Sequence, residues 1–192
     1  MRGRILLFLS SLILPFSCVV DSAGGDAEDD ADATSIVKVG DRIPAFSVEM
    51  VDNGQRSVFS SEQLSGPTMI VFFHTGCSDC QRELPLVEAW YQSQQVGADA
   101  SQRQNQPEAR LRLSESGFDY WTNCNVLAIA REESEETIKA FWQEHSLTLP
   151  YSPQSDRSIY NLFATKYIPR AYLCSSEGIV LWMGTETLGV PF

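Results

Sequence analysis

Apolar and polar positions alternate regularly only from Ile36 onward. The stretch VGDRIPAFSVEMVDNGQRSVFSSEQL alternates on both sides of DNG, which predicts a β-hairpin with a tight turn. MIVFF (69–73) is an unbroken apolar run, the pattern of a central strand buried on both faces. Leu84, Val87 and Tyr91 then recur at helical spacing, flanked by Leu86 and Trp90. A helix is expected to open near Cys77 and run to about Gln94. VLAIA (126–130) predicts a second buried strand. Ser134 reads as the N-cap of a second helix, with Glu135 and Glu136 in the first turn, where carboxylates meet the positive end of the helix dipole. Ile138, Phe141, Trp142 and His145 make one face of that helix, with His145 expected as a partly buried residue at its end. DRSIYNLFAT predicts a short third helix, and AYLC, SSEG and IVLWM predict a terminal hairpin. The order hairpin, strand, helix, strand, helix, short helix, hairpin predicts an α/β domain around a mixed sheet.

Three segments do not follow this pattern. The first, residues 1–17, has Arg2 and Arg4 ahead of the apolar stretch ILLFLSSLILPF, the layout of an export signal and too short to span a bilayer comfortably. It ends at Ser17-Cys18, which resembles the lipidation site of bacterial lipoproteins, although Pro15 and Phe16 stand where that motif prefers Leu and a small residue. A plain secretory signal cleaved nearby is the alternative. Residues 18–35 carry the lipidation cysteine and then Gly, Ala, Ser and six acids without a base, expected as a disordered tether. The third, residues 97–125, is long and polar and reads as an insertion in a domain spanning 36–192, either a surface loop or a substrate-facing flap.

Charge then narrows the partner class. The net charge of -11 argues against nucleic acid, whose phosphates call for clustered Lys and Arg. An exported chain lies where disulfides persist, which gives the five cysteines their meaning.

Cys77 and Cys80 sit two residues apart, just after the buried strand. A strand, a short turn and a helix starting at Cys77 place the first sulfur at a helix N-terminus, where unpaired N–H groups favour the thiolate. A free thiol has a pKa of about 8.5, and this setting usually lowers it. Cys80, one turn further in, is within reach of Cys77 and more buried. A structural zinc wants four ligands, and Cys124, Cys174, His74 and His145 show no paired ligand spacing, so no metal is expected. A bridge across two residues closes almost no loop and would add little stability as a purely structural disulfide. Redox exchange remains, with Cys77 as nucleophile and Cys80 as resolving thiol.

FFHTGCSDCQRELP resembles the active-site segment of the thioredoxin superfamily. Glu83 and Pro85 after the second cysteine resemble its TlpA/ResA-like extracytoplasmic branch, as does VGDRIPAFSV ahead of the hairpin. In YIPRAYLC, Pro169 falls where that superfamily has its cis-proline. The resemblance spans most of residues 38–184. It implies a thioredoxin-like three-layer fold with a central mixed sheet, an N-terminal β-hairpin extension and a shortened C-terminal end. It also implies a thiol–disulfide oxidoreductase needing no cofactor, with a redox-active disulfide between Cys77 and Cys80. Pro169 would sit beside the sulfurs, Ile168 and Gly76 would face the substrate, and Glu83 would assist proton transfer unless it is an exposed helix glutamate. Pro85 would kink its helix without a catalytic role. The partners implied are extracytoplasmic protein disulfides or dithiols and an upstream membrane electron donor or acceptor. The location implied is the cell envelope, through a lipid on Cys18.

There are departures from the family pattern. Gly76 stands where thioredoxins have Trp. Asp79 between the cysteines puts negative charge near the thiolate, which opposes the helix-end effect and favours a reductant. Cys124 and Cys174 are expected about two strand spacings of roughly 4.8 Å apart, too far to bridge, as buried free thiols. The competing readings are a membrane-tethered binding module of the same fold without turnover, and a metallochaperone. The latter expects a wider cysteine spacing and a histidine after His145, which the sequence lacks.

Overall fold

The computed structural model of the protein describes residues 33–96 and 124–189. Its elements are β1 (Ser47–Asp52), β2 (Gln55–Ser60), β3 (Thr68–Phe73), α1 (Ser78–Val96), β4 (Asn125–Ala130), α2 (Glu135–Glu144), β5 (Tyr151–Ser152), a 3-10 turn (Tyr160–Leu162), β6 (Arg170–Cys174) and β7 (Val180–Thr185). The expected export signal, Cys18, the tether up to Asp32, most of the 97–125 insertion and residues 190–192 lie outside the described residues. The insertion ends earlier than expected, because Cys124 leads into β4 and Asn125 opens it.

The strands form one mixed sheet in the order β2-β1-β5-β4-β3-β6-β7. The hairpin closes as DNG predicts: Asn53 and Gly54 have φ of 48° and 79°, the paired positive values of a turn that suits twisted strands. β3 is buried along its whole length, parallel to β4 on one edge and antiparallel to β6 on the other. β5 escaped the sequence reading. Two residues are too few to show alternation, yet β5 joins the hairpin to the core through Val51↔Tyr151 on one side and Ala128↔Tyr151 on the other.

Successive strand residues face opposite sides, so β3 sorts the layers. Phe72 packs on Tyr160 of the 3-10 turn and on Phe163, with ring centroids 5.4 and 4.9 Å away. Phe73 meets Trp142 of α2 at 5.0 Å on the other face. α1 joins α2 on that second face, because Glu88 of α1 accepts the N–H groups of Thr148 and Leu149 just after α2, at 2.8 and 3.0 Å. The expected N-cap holds: Ser134 Oγ accepts from the Thr137 N–H. His145 is exposed, not partly buried. The helix ends at Glu144, and the imidazole lies against the Phe141 ring with centroids 4.1 Å apart. The expected third helix shrinks to a 3-10 turn, with the Tyr160 hydroxyl donating to the Lys166 and Tyr167 carbonyls at 2.6 and 2.8 Å. Pro85 lies inside α1, as the sequence required.

The expected tether ends before residue 35. Ser35 is buried and bridges Ala164, and the Thr34 carbonyl accepts the Thr165 N–H at 2.9 Å. The cause is Arg170, a fully buried cation. Its Nη1 donates to Ser35 Oγ at 2.5 Å, and Nη2 to Thr34 Oγ1 at 2.8 Å and the Lys166 carbonyl at 3.0 Å. No carboxylate pairs with it among the described residues, so these neutral oxygens replace its hydration. Changing Thr34→Val and Ser35→Ala together removes two of the three acceptors. Urea denaturation should then show a loss of about 2–4 kcal/mol. A loss within error of zero would mean that Arg170 finds water instead.

Candidate active site

β3 ends at Phe73, and a four-residue turn leads into α1. The Cys77 N–H donates to the His74 carbonyl at 3.0 Å, closing the turn, and the Gln81 N–H donates to the Cys77 carbonyl at 3.0 Å, starting the helix. Cys77 therefore stands at the first residue ahead of α1, half-buried, as the spacing predicted. Its sulfur accepts the Cys80 N–H at 3.4 Å, one of the free donors of a helix N-terminus. Cys80 is fully buried. Desolvation pushes its thiol well above the ordinary range, the neighbouring Cys77 adds to the rise, and the His74 N–H and Arg131 act against it.

The second half of the site comes from a distant part of the chain. The Ile168–Pro169 peptide is cis, and the Ile168 carbonyl accepts from the Cys77 thiol at 3.4 Å. The β3–β6 pairing delivers it: Phe72 lies opposite Arg170, so the residues just before Arg170 reach the loop just after Phe73. Cys77, Cys80, Ile168, Pro169 and Gly76 thus gather at one end of the sheet. Gly76 donates its N–H to His74 Nδ1 at 3.0 Å, and a Cβ there would come within 3.2 Å of the imidazole. The bulky residue of thioredoxins is excluded at Gly76 unless the His74 ring moves.

Glu83 is not the exposed glutamate of the alternative reading; it is 2% exposed. Oε2 accepts the Leu188 N–H at 3.0 Å and Oε1 accepts from Arg82 Nε at 3.1 Å. Arg82 also donates to the Glu186 carbonyl at 3.2 Å, and the Glu186 N–H donates to the Pro169 carbonyl at 2.9 Å. Glu83 and Arg82 therefore bind the segment after β7 to α1, beside Pro169. The charge of Asp79 is also shared, since Arg82 Nη1 lies 2.8 Å from its carboxylate. This offsets part of the effect expected of Asp79 on the thiolate.

Sequence reasoning missed what lies beneath the turn. Glu133, buried just after β4, accepts the Thr75 N–H at 2.9 Å and the Thr75 hydroxyl. Its Oε1 is 3.8 Å from His74 Nδ1. Gln81 Nε2 donates to the Thr75 carbonyl at 2.7 Å. A buried carboxylate and a helix glutamine thus hold the loop that presents Cys77. The available signal was that Glu133 directly follows a buried strand parallel to β3, which puts it beside the β3 loop. Among the described residues no three His, Cys, Asp or Glu side chains converge as metal ligands.

Cys124 and Cys174 are buried thiols at the opposite end of β3, where Thr68 lies opposite both Asn125 and Cys174. Burial pushes each up to about 12, so both remain neutral thiols at neutral pH.

Comparison with known proteins agrees with this geometry. No family model matches the chain. It is 21% identical over 179 residues to the thiol-disulfide oxidoreductase ResA of Oceanobacillus iheyensis, covering 92% of this chain and 79% of that one. A candidate protein disulfide isomerase of Bacteroides thetaiotaomicron superposes with a TM-score of 0.55 at 19% identity, covering 80% of this chain and 82% of that one. The thioredoxin domain of a Bacteroides vulgatus thiol-disulfide oxidoreductase superposes with a TM-score of 0.53 at 16% identity, covering 77% and 88%. The mixed sheet, the cysteine pair at the end of β3 and the cis-proline ahead of β6 make a thioredoxin-like fold, and the chain is similar in sequence to a thiol–disulfide oxidoreductase.

Proposed function

We propose that the protein exchanges disulfides with extracytoplasmic protein partners through Cys77 and Cys80, with Cys77 attacking and Cys80 resolving. The observation that carries this reading is the asymmetry of the pair. Cys77 is half-exposed, with its sulfur on a helix N–H and 3.4 Å from the Ile168 carbonyl, while Cys80 is fully buried behind it. In the first step the Cys77 thiolate attacks a partner disulfide, forming one mixed S–S bond and expelling one partner thiolate. Cys80 then loses its proton and attacks the Cys77 sulfur. The Cys77–Cys80 bond forms, the mixed bond breaks, and the second partner thiolate leaves and takes up a proton. Two electrons pass from the protein to the partner.

Ile168 and Pro169 present an extended backbone edge to the partner, and Gly76, directly ahead of Cys77, faces it as well. Glu83 acts through position, holding residues 186–188 beside Pro169. Asp79 between the cysteines supports the reductant direction, because negative charge near the thiolate favours the disulfide over the reduced pair. A lipid on Cys18 would hold the protein in the cell envelope, where a membrane partner renews its electrons.

In the reduced native protein, iodoacetamide at neutral pH should label Cys77 and leave Cys80, Cys124 and Cys174 unmodified until urea is added, as read by peptide mass spectrometry. Rapid native labelling of Cys80 would reverse the assigned roles. Cys80→Ser should accumulate mixed disulfides with envelope proteins, and Cys77→Ser should trap almost none. Equal trapping by both variants would contradict the division of labour. No trapping, together with no disulfide reductase activity in the wild type, would favour a binding module. Cys18→Ala should move the protein from the membrane to the soluble fraction, whereas a wild type already soluble and without acyl mass would remove the anchor from this reading.

A further inference from the structure

The turn that presents Cys77 has an aromatic side chain folded back onto it. His74 opens the turn, and its carbonyl accepts the Cys77 N–H at 3.0 Å, so the two residues are tied to each other. Within the turn, the Gly76 N–H donates to His74 Nδ1 at 3.0 Å. A Cβ on Gly76 would lie 3.2 Å from both Nδ1 and Cε1 of the ring, closer than ordinary contact. The imidazole therefore stands where a side chain of residue 76 would begin. Gly76, the neighbour of Cys77, contributes none of its own.

The ring has a defined orientation. Nδ1 accepts from Gly76, so in the neutral imidazole the proton is on Nε2. Glu133 Oε1 lies 3.8 Å from the same Nδ1, beyond hydrogen-bond distance, and that carboxylate is held by the Thr75 N–H and hydroxyl. Both polar neighbours of the ring among the described residues thus lie at its Nδ1 edge. The two nitrogens of an imidazole point away from each other, which directs Nε2 away from Gly76 and Glu133. The Glu133 side chain is 4% exposed and the His74 side chain 39%. The Nδ1 edge therefore faces inward, and the Nε2–H edge faces solvent beside the residue that precedes Cys77.

We propose that His74 is a partner-contacting residue: its Nε2–H donates to a backbone carbonyl beside the partner's cysteine, and this makes the site prefer peptide disulfides to small ones. Every cysteine within a peptide carries such carbonyls on both sides. An acidic side chain is a poorer acceptor here, because Glu133 stands behind the ring and Asp79 follows two residues after Cys77. A neutral carbonyl avoids that repulsion. The edge across the site cannot supply the same bond at Pro169, which has no N–H.

The inference rests on the exchange reading above, and the experiment keeps the two apart. The reduced full chain is mixed in turn with hydroxyethyl disulfide, which has no peptide group, and with the disulfide-linked dimer of a capped alanine-cysteine-alanine peptide. Thiol release is followed by chromatography after acid quenching. The readout is the ratio of the peptide rate constant to the small-disulfide rate constant, in which any effect on Cys77 itself cancels. His74→Asn keeps an acceptor for the Gly76 N–H, since an asparagine side chain bonds the backbone two residues on, but it ends short of the Nε2 position. The ratio should fall about fivefold, the loss of one hydrogen bond. His74→Gln reaches the Nε2 position with its amide and should hold the ratio near that of the wild type. Circular dichroism and the urea midpoint establish that each variant is folded. If His74→Asn does not fold, His74→Phe, which keeps a ring without a donor, carries the same test. A ratio unaltered in the folded His74→Asn or His74→Phe protein, or lowered as much by His74→Gln, would overturn the proposal. A wild type that reduces neither disulfide would remove the exchange reading itself and this inference with it.

Discussion

The site depends on one strand being hydrogen-bonded on both edges. β3 is buried over its whole length and lies between a parallel and an antiparallel neighbour. The parallel neighbour, β4, ends level with it, so the loops after both strands meet. The antiparallel neighbour, β6, begins where β3 ends, so the residues ahead of it arrive at the same point. Cys77 comes from the first direction, Glu133 and Arg131 from the second, and Ile168 and Pro169 from the third. A register slip in either pairing would turn side chains to the opposite face and separate the group. The apolar burial of Met69 to Phe73 is what aligns the chemistry.

This explains which parts were legible in the sequence. MIVFF and VLAIA are continuous apolar runs, DNG is a specific turn signal, and Ser134 with its two glutamates is a specific cap. Each expresses a local rule, and each element appeared. The cysteine roles were legible because strand, turn and helix are contiguous in the chain. The end of the expected tether was misread because Thr34 and Ser35 are small and polar, and their burial answers to Arg170 well over a hundred residues away. Glu133 and Arg131 were overlooked for a related reason. In the chain they belong to a charged run, AREES, that reads as a solvated loop. Only the register of β4 on β3 shows that Glu133 supports Thr75 and that the Arg131 N–H reaches the Phe73 carbonyl. Glu83 was noticed through resemblance, but its bond to Leu188 N–H depends on where the chain after β7 returns.

The site also divides its charges by depth. At the surface, Arg82 gathers Asp79 and Glu83 into one cluster, so the acid between the cysteines does not act alone. Below, Glu133 is committed to backbone and hydroxyl donors of the loop. The exposed cluster is subject to salt screening, whereas the deeper groups are shielded from it.

The hold of Arg170 on Thr34 and Ser35 has a geometric consequence. Arg170 directly follows Pro169, so the chain enters the domain at the end of the sheet that carries the cysteines, not at the far end. Whatever precedes Ala33 is therefore leashed beside the reactive edge. The fifteen residues from Cys18 to Asp32, even fully drawn out, span about 50 Å. Anything fixed at Cys18 stays within that reach of Thr34, and the partners such a site can meet are those that approach the same surface.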